Sequence, residues 1–418
     1  MMMLSESRKL FVSFFMFGLL NNILYVVILS AAIDLVGAST PKAVVLLADV
    51  VPSFVIKASA PFFIHLIPYI YRIWSLVSLS SVGMLLLSTS SQNAIGIKVF
   101  GILLASLSSG LGEVTFLQLT HYYNEEVSLG GFSSGTGGAG LFGSFIFMLL
   151  TNMLGIKVWI VLLLFSIVPV GFLVIFYLVL PSPTLTDDQI TYQPVNQEDN
   201  ELGVEFGSEA VVAVFEPKSN IETLKAHIYH TLTSMRPLLI PYMLPLCSVY
   251  VSEYVINQGI SPTLLFPLEE LPSWLFSTYR DLYVVYGFLY QLGVFISRSS
   301  INFGIRIRRL YWLSVLQFIN VIITLSQSMY DFPFSRIWLL LVLIFYEGLL
   351  GGFSYVNTFI SVSQDIPRSK REFSMGCVTI SDSLGIVLAG SINWWLETKL
   401  CGWQVDRGRD WCLRGDSA

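Results

Sequence analysis

The chain has 418 residues, a net charge of −5, 54% hydrophobic residues and only 12% charged residues. Soluble domains carry about 25% charged residues, so this composition cannot cover a water-facing surface and excludes an ordinary soluble protein. No basic block indicates a nucleic acid partner, and four cysteines in a chain of this length exclude a disulfide scaffold. The four histidines show no metal-ligand spacing, so we expect neither a metal nor another cofactor.

Apolar stretches long enough to cross a hydrocarbon core of about 30 Å recur along the whole chain. They predict an all-α polytopic membrane protein with about eleven transmembrane helices. The predicted spans are 10–33, 43–64, 73–91, 98–119, 132–151, 158–180, 238–256, 281–296, 310–327, 337–358 and 373–395. The eighth span is short and rich in tyrosine, and the fifth is rich in glycine.

The first span has two interpretations. Arg8 and Lys9 precede it, and the small residues at 30–32 resemble a signal-peptidase site. The apolar part of a signal peptide is about 7–15 residues long, and this stretch is longer. We therefore expect a retained first helix, with a cleaved signal as the alternative.

Lysine and arginine are unevenly distributed between the predicted loops. With the N-terminus in the cytosol, thirteen of them fall in cytosolic loops and five in the connections on the other side. This bias follows the positive-inside rule and predicts a cytosolic N-terminus. An odd helix count then places residues 397–418 across the membrane, although that tail carries four basic residues. There, Cys401 and Cys412 either form a disulfide or remain two free thiols.

The composition divides the chain into two halves. The predicted parts are an N-terminal six-helix bundle at 1–180, an acidic, disordered cytosolic linker at 181–236, a C-terminal five-helix bundle at 237–396 and a polar tail at 397–418. The linker is too acidic and too poor in apolar residues to fold alone. The fourth and tenth spans share glycines beside a glutamate, and the fifth and eleventh open with similar Phe-Ser segments. These internal similarities favour a two-bundle transporter.

Acidic residues lie within or at the ends of five apolar spans, at Asp49, Glu113, Glu253, Glu347 and Asp382. An ionisable group at such a depth is by default a hypothesis of function. A low dielectric favours the protonated carboxyl, which then exchanges protons near neutral pH. Asp49 has a structural alternative, because Lys57 lies about two turns further along the chain. The other four are candidates for proton coupling or gating, and their alternative is a structural carboxyl that holds two helices together.

Polar side chains within the spans are candidates for lining a substrate cavity: Asn21, Asn22, Tyr25, Asn257, Gln258, Gln291, Arg298, Tyr355 and Asn357. They offer amide, hydroxyl and guanidinium groups suited to a polar or anionic solute. Arg298 is able to bind a phosphate or carboxylate in a bidentate manner, or alternatively to reach lipid headgroups. The glycine-rich run 133–140 either packs closely against other helices or lets its helix bend during transport. No nucleophile, Walker or triad pattern indicates an enzyme.

Several segments carry a specific resemblance to a known family. They lie at 17–36, 108–123, 132–144, 252–259, 289–300, 346–359 and 372–390, and include SSGLGEVTFLQLTHYY and YEGLLGGFSYVNTF. Through them the chain closely resembles the battenin family, the lysosomal and vacuolar membrane proteins associated with juvenile Batten disease, and most of all its fungal vacuolar branch.

This resemblance implies a fold similar to the major facilitator superfamily and a multi-pass protein of the vacuolar membrane. It implies alternating-access transport and a role in vacuolar pH homeostasis, with glycerophosphodiesters or basic amino acids such as arginine as candidate substrates, alone or with protons. The alternative is a membrane scaffold that regulates the proton pump or vesicle trafficking through proteins bound at the linker.

Overall fold

The computed structural model describes residues 2–31, 42–91, 94–183, 221–273, 275–276, 279–409 and 411–412. Most of the predicted linker, 184–220, and the chain end at 413–418 lie outside the described residues. Every regular element in the described ranges is helical. The predicted all-α architecture is therefore confirmed.

Seven helices form the N-terminal half of the described chain. They are α1 (Met2–Ser30), α2 (Lys42–Phe63), α3 (Tyr69–Thr89), α4 (Ile95–Leu119), α5 (Glu125–Met148), α6 (Val158–Phe165) and α7 (Val170–Val174). The last two belong to one apolar span, Val158–Val179, interrupted by a turn before Pro169. This half therefore contains six segments of membrane-spanning length.

In the described ranges, seven further helices form the C-terminal half. They are α8 (Ile221–Leu238), α9 (Leu244–Tyr254), α10 (Tyr279–Ser299), α11 (Leu310–Tyr330), α12 (Ile337–Asp365), α13 (Arg368–Val378) and α14 (Ile380–Asp406). Helices α8 and α9 form one span with the turns that follow them, and so do α13 and α14. Because α8 begins at Ile221, the last part of the segment predicted as a linker is helical.

Ten segments of the described residues are long and apolar enough to cross a membrane. The eighth predicted span is not among them, yet α10 is a helix of 21 residues. Its polar face is accommodated because α10 packs between α5 and α12 rather than against lipid alone. Within the described ranges, the predicted arrangement of about eleven helices is thus observed as eleven packed segments, one of them amphipathic.

The bundle has two ends, which we name from the direction of α1. We call the end at which α1 begins the proximal end and the end at which α1 ends the distal end. Large aromatic side chains are exposed near both: Trp74 and Trp312 near the proximal end, and Trp159 and Trp338 near the distal end. Tryptophan concentrates at the two membrane–water interfaces, so these residues indicate the depth at which the bundle lies in the bilayer.

The described part of the predicted polar tail is folded. Helix α14 continues to Asp406, and Cys401 and Cys412 form a disulfide. The Arg407 guanidinium lies 5.1 Å from the centre of the Tyr330 ring, and Arg409 forms an ion pair with Asp331. The interpretation of two free thiols is therefore wrong, and the tail covers the distal end of α11.

Glycine allows helices to approach closely on both sides of α10. A Cβ atom at Gly348 would overlap the backbone carbonyl of Tyr290, and one at Gly293 would overlap that of Phe345. On the other side, Gly137 of α5 faces the backbone of Phe295. Close helix packing therefore accounts for the glycine-rich run of the fifth span.

Substitution of Gly348 tests this contact. We expect Gly348→Ala to lower the free energy of unfolding by about 1–3 kcal/mol, because the added methyl group forces α10 and α12 apart. Gly287→Ala is the matched control, since a Cβ at Gly287 of α10 meets nothing within 4 Å. Thermal unfolding in detergent measures both variants. Equal stability of the two would show that close approach at Gly348 is not required.

Candidate functional site

Three charged side chains meet where the two halves face each other. The Lys57 ammonium of α2 lies 2.5 Å from Glu113 Oε2 of α4 and 3.2 Å from Asp382 Oδ2 of α14. All three residues are buried, with exposures of 3%, 7% and 6%. Breaking a buried ion pair by removing one partner is strongly destabilising. One lysine therefore links the two halves through a pair of carboxylates.

Local sequence explains how the three groups meet. Gly110, one turn before Glu113, packs directly on the backbone of Ser53, so α2 and α4 approach closely enough for Lys57 to reach α4. Asp382 lies just after the break between α13 and α14, and its Oδ1 accepts a hydrogen bond of 2.6 Å from the Ser383 backbone N–H. The Asp382 side chain is thereby held in an orientation that faces Lys57.

The structural alternative in which Asp49 pairs with Lys57 is not observed. The two residues lie on the same helix, but the Lys57 ammonium points to Glu113 and Asp382. Asp49 is buried, and its Oδ2 has no hydrogen-bond partner.

Arg298 forms a second centre beside the ion pairs. Its Nη1 donates to Thr136 Oγ1 over 2.7 Å, and its Nη2 donates to the Tyr250 hydroxyl over 2.9 Å. The guanidinium lies 4.1 Å from the centre of the Tyr355 ring, and the Tyr355 hydroxyl donates to Glu113 Oε1 over 2.8 Å. We call Lys57, Glu113 and Asp382 the lysine–carboxylate group. Tyr355 therefore connects Arg298 to this group.

The charge on Arg298 is not neutralised by a direct ion pair. Among the described residues, the ion pairs within 4.0 Å do not include it. Its Nε is buried without a hydrogen-bond partner. The alternative of an arginine that reaches lipid headgroups does not fit these contacts. The guanidinium therefore lies between the halves with neutral partners, which leaves capacity for an anion.

Two further carboxyl groups lie within the C-terminal half. Asn257 Nδ2 donates to Glu347 Oε1 over 3.0 Å and to the backbone carbonyl of Glu253 over 3.1 Å. Glu253 Oε2 is buried and has no hydrogen-bond partner. The carboxylate lies against Gly351 of α12, which has no side chain to occupy that space. The structure thus brings Glu253, Glu347 and Asn257 together, as a group distinct from the lysine–carboxylate group.

Other predicted cavity residues in α1 lie within the N-terminal half. Asn21 donates to the Ser109 carbonyl over 3.1 Å, and Asn22 donates to the Gly18 carbonyl of its own helix over 3.4 Å. Tyr25 lies close to Tyr254 of the other half. Tyr25 therefore reaches across to the C-terminal half.

The remaining predicted residues lie elsewhere in the C-terminal half. Gln291 packs on Gly140 at the α5–α10 contact. Gln258 is half-buried in the turn that follows α9. Asn357 Oδ1 accepts from the Ile307 backbone N–H over 2.7 Å and so holds the loop before α11. The side-chain hydrogen bonds of Asn357 are thus with that loop and with its own helix, and not with Arg298.

Sequence reasoning did not identify three residues of the site. Lys57 is an ionisable group in an apolar span, the same signal that selected the carboxylates, but the sequence suggested it only as an alternative partner for Asp49. Thr136 lies in the glycine-rich run, and Tyr250 precedes Tyr254 by one helical turn. Hydroxyl groups are common in membrane helices, so nothing in the sequence singled out these two.

The proximal end is closed by a network between the halves. Glu372, at the start of α13, accepts hydrogen bonds from Tyr69 over 2.6 Å and Tyr122 over 2.8 Å. Arg371 beside it forms an ion pair with Glu125 of α5. We call this network the proximal latch. It fixes the α13 end of the C-terminal half to the N-terminal half.

Removal of the Glu372 carboxylate tests the proximal latch. We expect Glu372→Ala to open this end and raise the maleimide labelling rate of the buried Cys377 at least about tenfold, because two hydrogen bonds to a charged group are lost. The background carries Cys247→Ser, which removes the other free thiol. Glu6→Ala is the control, since Glu6 is exposed. An unchanged rate in Glu372→Ala would mean that other contacts keep the proximal end closed.

Solved structures with a similar fold are transporters. The human organic anion transporter MFSD10 has a TM-score of 0.61 at 12% identity, over 97% of this chain and 96% of that chain. A bacterial homologue of the iron transporter ferroportin, in an outward-facing state, has a TM-score of 0.57 at 13% identity over 99% of each chain. The E. coli fucose:proton symporter has a TM-score of 0.55 at 12% identity, over 97% and 93%. At such identities the likeness shows the fold alone, and this chain is a multi-pass membrane protein of the major-facilitator fold.

The sequence comparisons identify the family. The family described as CLN3 protein matches residues 12–403. Protein BTN1 of Debaryomyces hansenii is 66% identical over 418 residues, which is 100% of both chains. Protein BTN1 of Saccharomyces cerevisiae is 47% identical over 422 residues, covering 98% of this chain and 99% of the relative. The chain therefore belongs to the CLN3 protein family, and the resemblance to fungal battenins is confirmed.

Proposed function

We propose that the protein is an alternating-access transporter of the vacuolar membrane, with a cytosolic N-terminus, that moves a small solute carrying a phosphodiester group. The single observation that carries this proposal is the Arg298 guanidinium, which lies between the two halves without an ion-pair partner among the described residues. The fold, the family and the positive-inside bias support the transport class, the membrane and the orientation. Solute movement of this kind contributes to vacuolar pH homeostasis when it is coupled to protons.

The chemistry of the site favours an anion at Arg298. Guanidinium binds phosphate oxygens through parallel N–H donors and is more weakly hydrated than an ammonium group. The protein partners of Arg298 are the hydroxyls of Thr136 and Tyr250 and the ring of Tyr355, none of which neutralises its charge. A glycerophosphodiester supplies one negative charge and hydroxyl groups, and therefore complements this set.

Coupling to protons is assigned to the lysine–carboxylate group. Lys57 and Glu113 belong to the N-terminal half and Asp382 to the C-terminal half. Protonation of Asp382 would remove its attraction to Lys57 and leave the Lys57–Glu113 pair intact. Because alternating access requires contacts between the halves to break and re-form, this ion pair is a suitable point for a proton to act.

A basic amino acid is the second candidate substrate. The observation that favours it is Glu253 Oε2, which is buried and has no hydrogen-bond partner. A carboxylate in this position complements the guanidinium or ammonium group of arginine. Binding of arginine would then depend on Glu253, whereas binding of a phosphodiester depends on Arg298.

Equilibrium binding to the purified protein in detergent separates the two candidates. Radiolabelled glycerophosphocholine is expected to bind the unsubstituted protein, and this binding is expected to be lost in Arg298→Gln. The control is Arg306→Gln, which removes an arginine at the protein surface that pairs with Glu126. If only arginine binds, and this binding is lost in Glu253→Gln, the substrate is a basic amino acid and not a phosphodiester. If neither solute binds, the proposal is contradicted.

A further inference from the structure

A separate cavity, lined by both polar and apolar side chains, lies inside the N-terminal half. It is a small space between α1, α2, α3 and α4, and its polar lining includes Asn21, Tyr25, Asp49, Ser80 and Ser108. The lysine–carboxylate group and Arg298 do not contribute to it. The cavity is therefore distinct from the site assigned to the transported solute.

Asp49 lines this cavity with an unpartnered carboxylate oxygen. The residue is 3% exposed, and its Oδ2 forms no hydrogen bond. The Asp49 backbone carbonyl accepts a hydrogen bond from the Ser106 hydroxyl, which in turn accepts from the Ser53 backbone N–H over 3.0 Å. These bonds fix the backbone and leave Oδ2 available to a ligand. An isolated ionised carboxylate costs far too much free energy to bury, so it requires a cation or a proton.

Three of the other polar side chains in the lining, those of Asn21, Ser80 and Ser108, donate hydrogen bonds within the protein. The Ser108 hydroxyl donates to the Leu76 carbonyl over 2.9 Å, so Ser108 must accept the 2.6 Å hydrogen bond from Ser80. The Asn21 amide nitrogen donates to the Ser109 carbonyl over 3.1 Å. The hydroxyl hydrogens of Ser80 and Ser108 are therefore committed, whereas the oxygen atoms of both side chains keep lone pairs for a ligand. Such a lining repels an anion and suits a hard cation, which prefers oxygen ligands.

We propose that this cavity binds a small monovalent cation of the size of sodium, with the Asp49 carboxylate as the charged ligand and Asn21, Ser80 and Ser108 as neutral oxygen ligands. These residues come from α1, α2, α3 and α4, so the bound ion holds four helices of the N-terminal half together. Tyr25 also lines the cavity and lies close to Tyr254 of the C-terminal half. Occupancy of the cavity is thereby connected to a contact between the two halves.

Thermal unfolding of the full-length protein in detergent tests the proposal. Choline chloride is replaced stepwise by sodium chloride at constant ionic strength, and intrinsic fluorescence follows unfolding. A ligand that binds only the folded state stabilises it in a saturable manner. We expect the melting temperature of the unsubstituted protein to rise by a few degrees and reach a plateau. This rise should be absent in Asp49→Asn and reduced in Ser80→Ala.

Controls distinguish a bound sodium ion from a general effect of salt and from a proton. Glu126→Gln removes an exposed carboxylate and is expected to keep the full response to sodium. Potassium chloride should produce a weaker response, because the cavity is small. The same melting temperature in sodium and choline chloride would overturn the proposal, and so would a sodium response that persists in Asp49→Asn. A third result would also overturn the proposal: a melting temperature that does not respond to sodium but depends on pH, with the pH dependence lost in Asp49→Asn. The ligand of Asp49 would then be a proton.

Discussion

Replacing Arg298 by lysine is expected to reduce uptake of a phosphodiester solute into proteoliposomes by about 10- to 100-fold. Lysine keeps the positive charge but cannot reproduce the planar fork that donates to Thr136 and Tyr250 while it stacks on Tyr355. A hydrogen bond to a charged group contributes about 1.5–3 kcal/mol, which corresponds to this range of rates. The measurement is the initial rate of uptake of radiolabelled glycerophosphocholine.

The matched control for this prediction is Arg306→Lys. Arg306 pairs with Glu126 at the protein surface, and exposed pairs contribute at most about 1 kcal/mol. Uptake by this variant should stay close to that of the unsubstituted protein. If Arg298→Lys transports at the same rate as Arg306→Lys, the guanidinium of Arg298 does not bind the solute.

Replacing Lys57 by methionine is expected to lower the free energy of unfolding by about 3–5 kcal/mol, because Glu113 and Asp382 then lose their shared cation while buried. Transport should be lost in the same variant. Adding Glu113→Gln and Asp382→Asn should recover much of the stability, since neutral amides are less costly to bury than carboxylates. The triple variant should remain inactive, because the ion pair that links the two halves is absent.

Unfolding and uptake are measured together for these variants. Lys399→Met is the control, because Lys399 is exposed near the distal end and lies 6.0 Å from the Trp395 ring. It should change neither quantity. A triple variant that transports normally would show that the lysine–carboxylate group is structural only.

Hydrophobicity predicts the all-α, multi-span architecture from the sequence, whereas the major-facilitator fold is implied by the family resemblance. The lipid-facing helices follow from apolar length alone, which is why ten spans are recovered by length and composition. Helix α10 departs from this rule, because its polar face is covered by α5 and α12 rather than by lipid. The end of α14 also departs from it, since its last turns are polar and are held by contacts with α11.

The site was only partly predictable for a different reason. Burial cost marks Glu113, Glu253, Glu347 and Asp382 from the sequence, but the choice of partner depends on which helices pack together. Lys57 and Asp382 are 325 positions apart, and only the packing of α2 against α14 brings them together. For the same reason, proximity in sequence suggested the wrong partner for Lys57.

The proximal latch illustrates a third limit. Tyr69, Tyr122 and Glu372 lie at the ends of spans, where polar and aromatic residues are ordinary features of a membrane interface. Their pairing across the two halves is therefore not encoded in any local pattern. The sequence alone predicts polar side chains at the ends of the spans, whereas the structure shows which of these side chains form hydrogen bonds with each other.

Flux of a phosphodiester through the purified protein tests the central claim most directly. The protein is reconstituted into liposomes, and uptake of radiolabelled glycerophosphocholine is followed with a pH gradient of either direction. We predict saturable uptake above that of protein-free liposomes, and its loss in Arg298→Gln. Uptake no greater than in protein-free liposomes under both gradients would contradict the account, as would equal uptake by Arg298→Gln and the unsubstituted protein.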